Sequence, residues 1–311
     1  MVNPIYKYLA AKTRWDFGHS DKKRDAGQTT PDDLIRFDDI VYGDDKKFKR
    51  WQMLDVYRPK SAGTGEQGSS SLSKLPVIIS VHGGAWVYGN KDIYQFYCMK
   101  LAQRGFAVVN FSYRLAPETM FPSALVDTEK VFEWVGANAE QYGFDLNNVF
   151  AVGDSAGGHL LALYTSILTN PEYAANYPFV KEKNFTLRGV GLNCGKYDMD
   201  PALETNPLMP ILLKAMFNGK VSPENMNLIN ASKHITKDFP PAFVMTCIGD
   251  FLFNQAKIIT DAFDAAGVKY EYHCYGSEEK PLWHVFHCDP RLEQAKLCND
   301  EECAFFRSLM A

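Results

Sequence analysis

An α/β fold, with a mostly parallel sheet covered on both faces by helices, is predicted for this 311-residue chain by three observations. Continuous apolar runs recur at Pro76–Val81, Phe106–Phe111, Val149–Val152, Leu187–Leu192 and Ala242–Ile248, the pattern of strands buried on both faces. Segments with helical spacing lie between those runs. Finally, Gly153-Asp154-Ser155-Ala156-Gly157 stands between an apolar run and an apolar helical stretch, Gly158 to Leu168. A serine flanked by small residues in that position reads as a sharp strand-to-helix turn that projects its side chain into a cleft.

Each element has its own signal. Residues 37–43 and 51–58 mix apolar and polar side chains around the turn Gly43-Asp44-Asp45, which predicts an antiparallel hairpin opening the sheet. Ser61 to Lys74 is rich in Gly and Ser and reads as a surface loop. Tyr94–Arg104 ends before Gly105, a helix stop, and Leu125, Val131, Phe132 and Val135 mark one face of a second helix. The helix after Ser155 is apolar almost all round, as a centrally packed helix must be. Phe251–Ala266 ends at Gly267, strand Tyr270–Tyr275 follows, and Arg291–Leu309 closes the chain as an amphipathic helix. Two parts fall outside the alternation: the segment to about residue 36, and 197–241, interrupted by prolines around a short helix, Pro210–Asn218. An insertion at the carboxyl ends of parallel strands lies over the place where such sheets bind ligands, so both parts are predicted to form a cap on a single domain spanning 1–311.

Composition excludes several function classes. A formal charge of −4 provides no general attraction to nucleic acid or anionic membranes, and no stretch approaches 18 apolar residues. Lys7, Lys12 and Arg14 interrupt the apolar start of the chain, and no cleavage pattern follows. Seven cysteines with no C-x-x-C pair argue against a disulfide framework. The expectation is a reduced, cytoplasmic protein. Cys274, His284, His287 and Cys288 cluster in sequence, but their spacing fits no common zinc site, and no metal is expected.

Attack on a carbonyl needs a nucleophile, a base, a group to orient that base, and donors for the oxyanion. Ser155 supplies the first. His82-Gly83-Gly84-Ala85-Trp86 directly follows the strand at Val77–Val81, and its backbone N–H groups, with that of Ala156, are the expected oxyanion donors. These motifs, together with Tyr113-Arg114-Leu115-Ala116-Pro117-Glu118, resemble those of the hormone-sensitive-lipase-like carboxylesterase branch of the α/β-hydrolases, a resemblance running from about Leu54 to Phe286. It implies hydrolysis of carboxylic esters by a Ser–Asp–His triad under a helical cap, without metal or organic cofactor. Ala85 stands where that family usually has a third glycine.

Asp250, after the run Thr246–Gly249, matches the family's acid, although its usual proline and acidic pair are replaced by Phe251, Asn254 and Gln255. Asp250 also reads as a helix N-cap, and the two roles are compatible. Of seven histidines, His284 and His287 lie in the loop before the closing helix. His284 matches the family's base, but Val285 replaces its usual glycine, so His287 stays open. Arg114 and Glu118 are expected to pair with each other. Trp86, Tyr88, Phe251 and Trp283 are candidates to line a pocket for the acyl or alcohol group of a small ester.

The reading is therefore a serine esterase for short acyl esters. An arylformamidase, which shares H-G-G-x-W, and a non-catalytic hydrolase-fold binding protein are the alternatives. The alcohol half of the substrate and self-association through an edge strand are not legible.

Overall fold

The computed structural model describes residues 2–63, 72–200 and 207–311. Helix α1 (Pro4–Asp25) starts the chain. Asn3 caps it by accepting from the Ile5 amide, Pro4 fits its first position, and Lys22, Lys23 and Arg24 complement the partial negative charge of its last turn. Strands β1 (Leu34–Val41) and β2 (Met53–Pro59) form the expected antiparallel hairpin. After β3 (Leu75–Val81), helices and strands alternate: α2 (Lys91–Gln103), β4 (Ala107–Phe111), α3 (Ser123–Ala137), the single turn α4 (Ala139–Tyr142), β5 (Phe144–Asp154) and α5 (Ala156–Thr169). The turn α6 (Pro171–Ala174), β6 (Leu187–Asn193), α7 (Met209–Met216), α8 (Pro223–Leu228), β7 (Ala242–Cys247), α9 (Phe253–Ala266), β8 (Tyr270–Tyr275) and α10 (Glu293–Ser308) complete it.

The eight strands form one sheet in the order β1-β2-β4-β3-β5-β6-β7-β8. β2 joins β4 antiparallel, and every pairing from β4 to β8 is parallel. This is the α/β-hydrolase architecture. Alternate residues along each strand enter separate layers, because strand side chains have a period of two. Val77, Ile79 and Val81 pack with the inward faces of α3, α5 and α9. Ile78, Val108, Phe150 and Val152 meet α2 and α10, through Met99, Leu101, Phe305 and Phe306. Helix α5 is buried from Ala156 to Ile167, as its all-round apolarity predicted. Burial of strand-centre apolar side chains contributes about 1.5–3 kcal/mol each.

Some boundaries differ from expectation. The helix expected at Phe251 starts at Phe253, because Asp250 and Phe251 form a turn closed by Phe253 N–H to the Asp250 carbonyl. The short helix expected at Pro210–Asn218 runs Met209–Met216, and Asn218 (φ 50°) ends it in left-handed backbone. Residues 64–71 of the expected Ser61–Lys74 loop and 201–206 of the expected cap lie outside the described residues.

Candidate active site

Pairing in the sheet brings the chemistry together before any side chain is considered. β3 and β5 are neighbours with Val81 opposite Gly153, so the loop after one and the turn after the other leave the sheet at the same level. β7 and β8 are likewise neighbours, and they carry Asp250 and His284 in the loops at their carboxyl ends.

Ser155 occupies φ 53°, ψ −118°, a strained conformation for a residue with a side chain, between β5 and α5. Crowding around the turn explains the glycines. A Cβ on Gly153 would stand 2.6 Å from the Gly157 carbonyl oxygen, and one on Gly157 would stand 2.0 Å from that of Val81. Ser155 is 9% exposed and faces a cavity of about 290 Å³. Ala156 opens α5, so its N–H has no intrahelical acceptor.

The loop after β3 is left-handed at three successive residues, Gly84 (φ 116°), Ala85 (φ 52°) and Trp86 (φ 62°). Gly83, Gly84 and Ala85 all line the cavity. The expectation that each offers an amide needs one correction. The Gly83 N–H already donates to the Tyr94 hydroxyl at 2.9 Å. Among the described residues no such acceptor meets the amides of Gly84 and Ala85. His82 is structural: its Nδ1 lies 2.7 Å from the Gly83 oxygen and its ring stacks on Tyr113. Burial pushes its imidazole down to about 4.

Asp250 sits buried behind His284. Its Oδ1 accepts from His284 Nδ1 at 2.7 Å and from the Leu252 amide at 2.8 Å, and Oδ2 accepts from the Thr246 hydroxyl at 3.3 Å. Burial alone would raise this carboxyl, but the His284 hydrogen bond and charge outweigh it and hold the group below the usual carboxylate range. Gly249 (φ 100°) lets the two loops touch, since a Cβ there would stand 2.3 Å from the Leu282 oxygen. Val285, where glycine was expected, takes φ 56° and carries the backbone past His284 in spite of its branched side chain.

The histidine left open is now placed. His284 lines the cavity with Ser155, whereas His287 is fully buried with its ring edge-on to Tyr97, and burial pushes it down to about 3. Two carboxylates on neighbouring elements are engaged elsewhere: Asp238 pairs with Lys237, and Asp261 with Lys257 on the outside of α9.

Of the aromatic candidates, Tyr88 and Phe251 line the cavity, and the Phe251 ring centroid is 4.3 Å from that of His284. Trp86 is instead in the core, where its Nε1 donates to His159 Nδ1 at 3.0 Å. Trp283 is 52% exposed and does not line the cavity. The expected Arg114–Glu118 pair does not form. Arg114 grips Asp127, a buried carboxylate on α3 that takes its guanidinium at 2.9 Å, while Glu118 accepts two bonds of 2.7 Å from Arg14 of α1.

The first segment was expected in the cap, but none of its residues was singled out for the site. Thr13, Asp16, Phe17, Ser20, Asp21 and Arg24 form one wall of the cavity, with Leu208, Met209 and Leu212 of α7 and its approach beside them. Ala10, Thr13, Phe17, Asp21 and Arg24, at spacings of three and four, were the available signal for an inward face. The seven cysteines are unpaired. Two buried groups, Asp154/His287/Cys288 and Cys194/Cys247/Asp250, each bring three donor atoms within 4.8 Å of one another. The carboxylates in both are engaged, by Tyr94 and by His284. No helix among the described residues is long and apolar enough to cross a membrane.

The chain is similar to several known proteins. The model of the BD-FAE family matches residues 54–258. Esterase LipC of Mycobacterium tuberculosis is 29% identical over 211 residues, covering 66% of this chain and 49% of that protein. Versiconal hemiacetal acetate esterase of Dothistroma septosporum is 27% identical over 248 residues, covering 75% and 71%. The chain thus spans about half the length of the first of these relatives. The crystal structure of esterase B from Lactobacillus rhamnosis superposes with a TM-score of 0.85 at 26% identity, covering 97% of this chain and 95% of that one. The chain belongs to the BD-FAE family and has the α/β-hydrolase fold.

Proposed function

We propose that the protein hydrolyses short-chain acyl esters of small molecules through an acyl-enzyme, with Ser155 as nucleophile, His284 as base and then acid, and Asp250 as the group that orients it. One observation carries this reading: His284, held by Asp250 at 2.7 Å, lines the same cavity as a serine on a strained strand-to-helix turn. With Nδ1 donating to Asp250, the other ring nitrogen is left to accept the Ser155 proton as Oγ attacks the carbonyl carbon. Charge develops on the carbonyl oxygen, and the amides of Gly84, Ala85 and Ala156 are the donors for it. Collapse expels the alcohol, which takes its proton from His284. A water molecule then repeats the attack on the acyl-serine, with His284 accepting its proton and returning it to Ser155.

Substrate size follows from the cavity. About 290 Å³ suits a short acyl chain better than a long one. Two relatives support this: one is an acetate esterase by name, and esterase B has been crystallised with a C4-C4 tributyrin phosphonate inhibitor. Residues 1–36 and 197–241 act as cap elements of a single domain, a reading supported by the cavity walls that α1 and α7 contribute. A reducing, cytoplasmic setting is consistent with seven unpaired cysteines.

The decisive experiment is covalent labelling. A fluorophosphonate should modify Ser155, located by peptide mass spectrometry, and block turnover of 4-nitrophenyl acetate. A protein that turns over no ester and leaves Ser155 unmodified would overturn the reading.

A further inference from the structure

Gly83, Tyr94 and Asp154 come from three different elements and meet in one chain of hydrogen bonds. The Gly83 N–H donates to Tyr94 Oη at 2.9 Å, and the Tyr94 hydroxyl donates to Asp154 Oδ2 at 2.6 Å. A phenol serves both partners because its oxygen accepts while its hydrogen is given away. All three groups are deep in the molecule: Tyr94 is 6% exposed and Asp154 2%. Gly83 fits only because it lacks a side chain, since a Cβ would stand 2.8 Å from Asp154 Oδ2 and 2.9 Å from Tyr94 Oη.

The ends of this chain matter. Asp154 immediately precedes Ser155, and Gly83 immediately precedes Gly84 and Ala85. The three left-handed residues that follow Gly83 hold an uncommon conformation, which persists only where the surroundings dictate it. Other bonds anchor the loop to itself and to the segment after β4: Tyr88 N–H to the Gly84 oxygen at 2.9 Å, and Ala116 N–H to that of Trp86 at 3.0 Å. The Tyr94 bridge ties the amide-bearing start of the loop to the serine turn through side chains.

We propose that Tyr94 is a positioning residue for ester hydrolysis, its hydroxyl coupling the oxyanion loop to the serine turn so that the Gly84 and Ala85 amides stand at a fixed distance from Ser155. The proposal rests on Ser155 being the nucleophile. Asp154 suits this coupling. Burial raises its carboxyl to about 6, and the Tyr94 hydrogen bond acts against that rise, so carboxylate and hydroxyl stabilise each other.

Tyr94→Phe keeps the ring and removes only the hydroxyl. It should lower kcat on 4-nitrophenyl acetate by about 10–100-fold with little change in KM, since misplacing an oxyanion donor weakens the transition state and not the ground state. The rate of Ser155 phosphonylation should fall in parallel, because the P=O group uses the same amides. Asp154→Asn, whose side-chain oxygen can still accept from Tyr94, should lose less than Asp154→Ala. Tyr94→Phe combined with Asp154→Ala should be little worse than either alone, as members of one chain require. A side chain that only filled space would leave kcat intact in a folded Tyr94→Phe protein, and that result would overturn the proposal. Losses that multiply in the double variant would overturn it too. Should Tyr94→Phe fail to fold, equal kcat in Asp154→Asn and Asp154→Ala decides against it. A wild-type protein that is not phosphonylated at Ser155 would defeat the underlying reading instead, before any variant is compared.

Discussion

His284 Nδ1 and Asp250 Oδ1 lie 2.7 Å apart although the residues are 34 positions apart in sequence, and this contact fixes which imidazole nitrogen faces the cavity chemistry. An ionised Asp250 can only accept, so Nδ1 must donate. Asp250→Asn would offer an amide hydrogen to the same nitrogen and favour the wrong tautomer. We expect kcat on short acyl esters to fall by about 10⁴-fold with the fold unchanged, as read by steady-state kinetics beside circular dichroism. A loss of less than tenfold would remove Asp250 from its assigned role.

Replacing Ser155 by Ala should lower kcat by a factor on the order of 10⁶ while leaving ester binding measurable. Retention of more than about a tenth of the activity would mean that another group attacks the carbonyl.

The serine turn should be as intolerant of volume as of chemistry. In Gly157→Ala the new methyl group would lie 2.0 Å from the Val81 oxygen and 2.6 Å from that of His82, backbone atoms at the carboxyl end of β3 and just beyond it. Neither can yield without moving β3. A loss of about 3 kcal/mol or more in urea unfolding is expected. Lys237→Ala, at an exposed side chain, serves as the control and should change stability little. Equal unfolding midpoints for the two variants would mean that the turn relaxes around the added methyl.

Acid should destabilise the fold, and buried groups set the window. Burial depresses the imidazoles of His82 and His159 to about 4 and that of His287 to about 3. An unfolded chain protonates them near 6.5, so the stability they contribute is full above that pH and is lost as the pH falls toward 4. Two carboxyls act in the opposite sense: burial raises Asp154 to about 6 and Glu302 to about 7, so the folded protein takes up their protons first. Among these five groups, the three histidines taking up protons on unfolding outnumber the two carboxyls releasing them near pH 5. Thermal unfolding followed at pH 7, 6 and 5 should therefore show a falling midpoint. A midpoint that rose toward pH 5 would mean that the histidines do not stay neutral in the folded protein.

Acyl preference offers a check on the cavity walls. Rates on 4-nitrophenyl esters should decline from butyrate to decanoate. Leu212→Ala, which shortens a wall contributed by α7, should move the decline to longer chains. An unchanged profile would place the acyl chain elsewhere.

What could be read in advance was what local chemistry dictates. The strands at Val77–Val81 and Val149–Val152 and the crowded turn at Ser155 follow from short-range patterns, whereas Asp250 and His284 were singled out by the resemblance to the carboxylesterase branch. Partner choice over long distances did not follow from either. Glu118 meets Arg14, 104 positions away, because α1 lies beside the loop after β4, and Arg114 turns to the buried Asp127. Trp86 is directed inward by its own left-handed backbone, and no sequence pattern signals a positive φ at a tryptophan. Nor could spacing reveal that Gly83 has its amide occupied, since its acceptor, Tyr94, arrives from the next helix.

Arg14 donates to the Val87 oxygen at 2.7 Å and to the Ala116 oxygen at 3.1 Å besides holding Glu118. The first helix is therefore braced against Val87, next to the amide-bearing loop, and against Ala116 in the segment after β4, so it behaves as a strut and not as a loose cover. Alterations in the first 25 residues that leave every wall atom untouched would still travel through this brace toward the carbonyl. On the proposed reading, choice of substrate and speed of turnover are mechanically linked, and an engineer who exchanges that helix to retune one should find the other shifted as well.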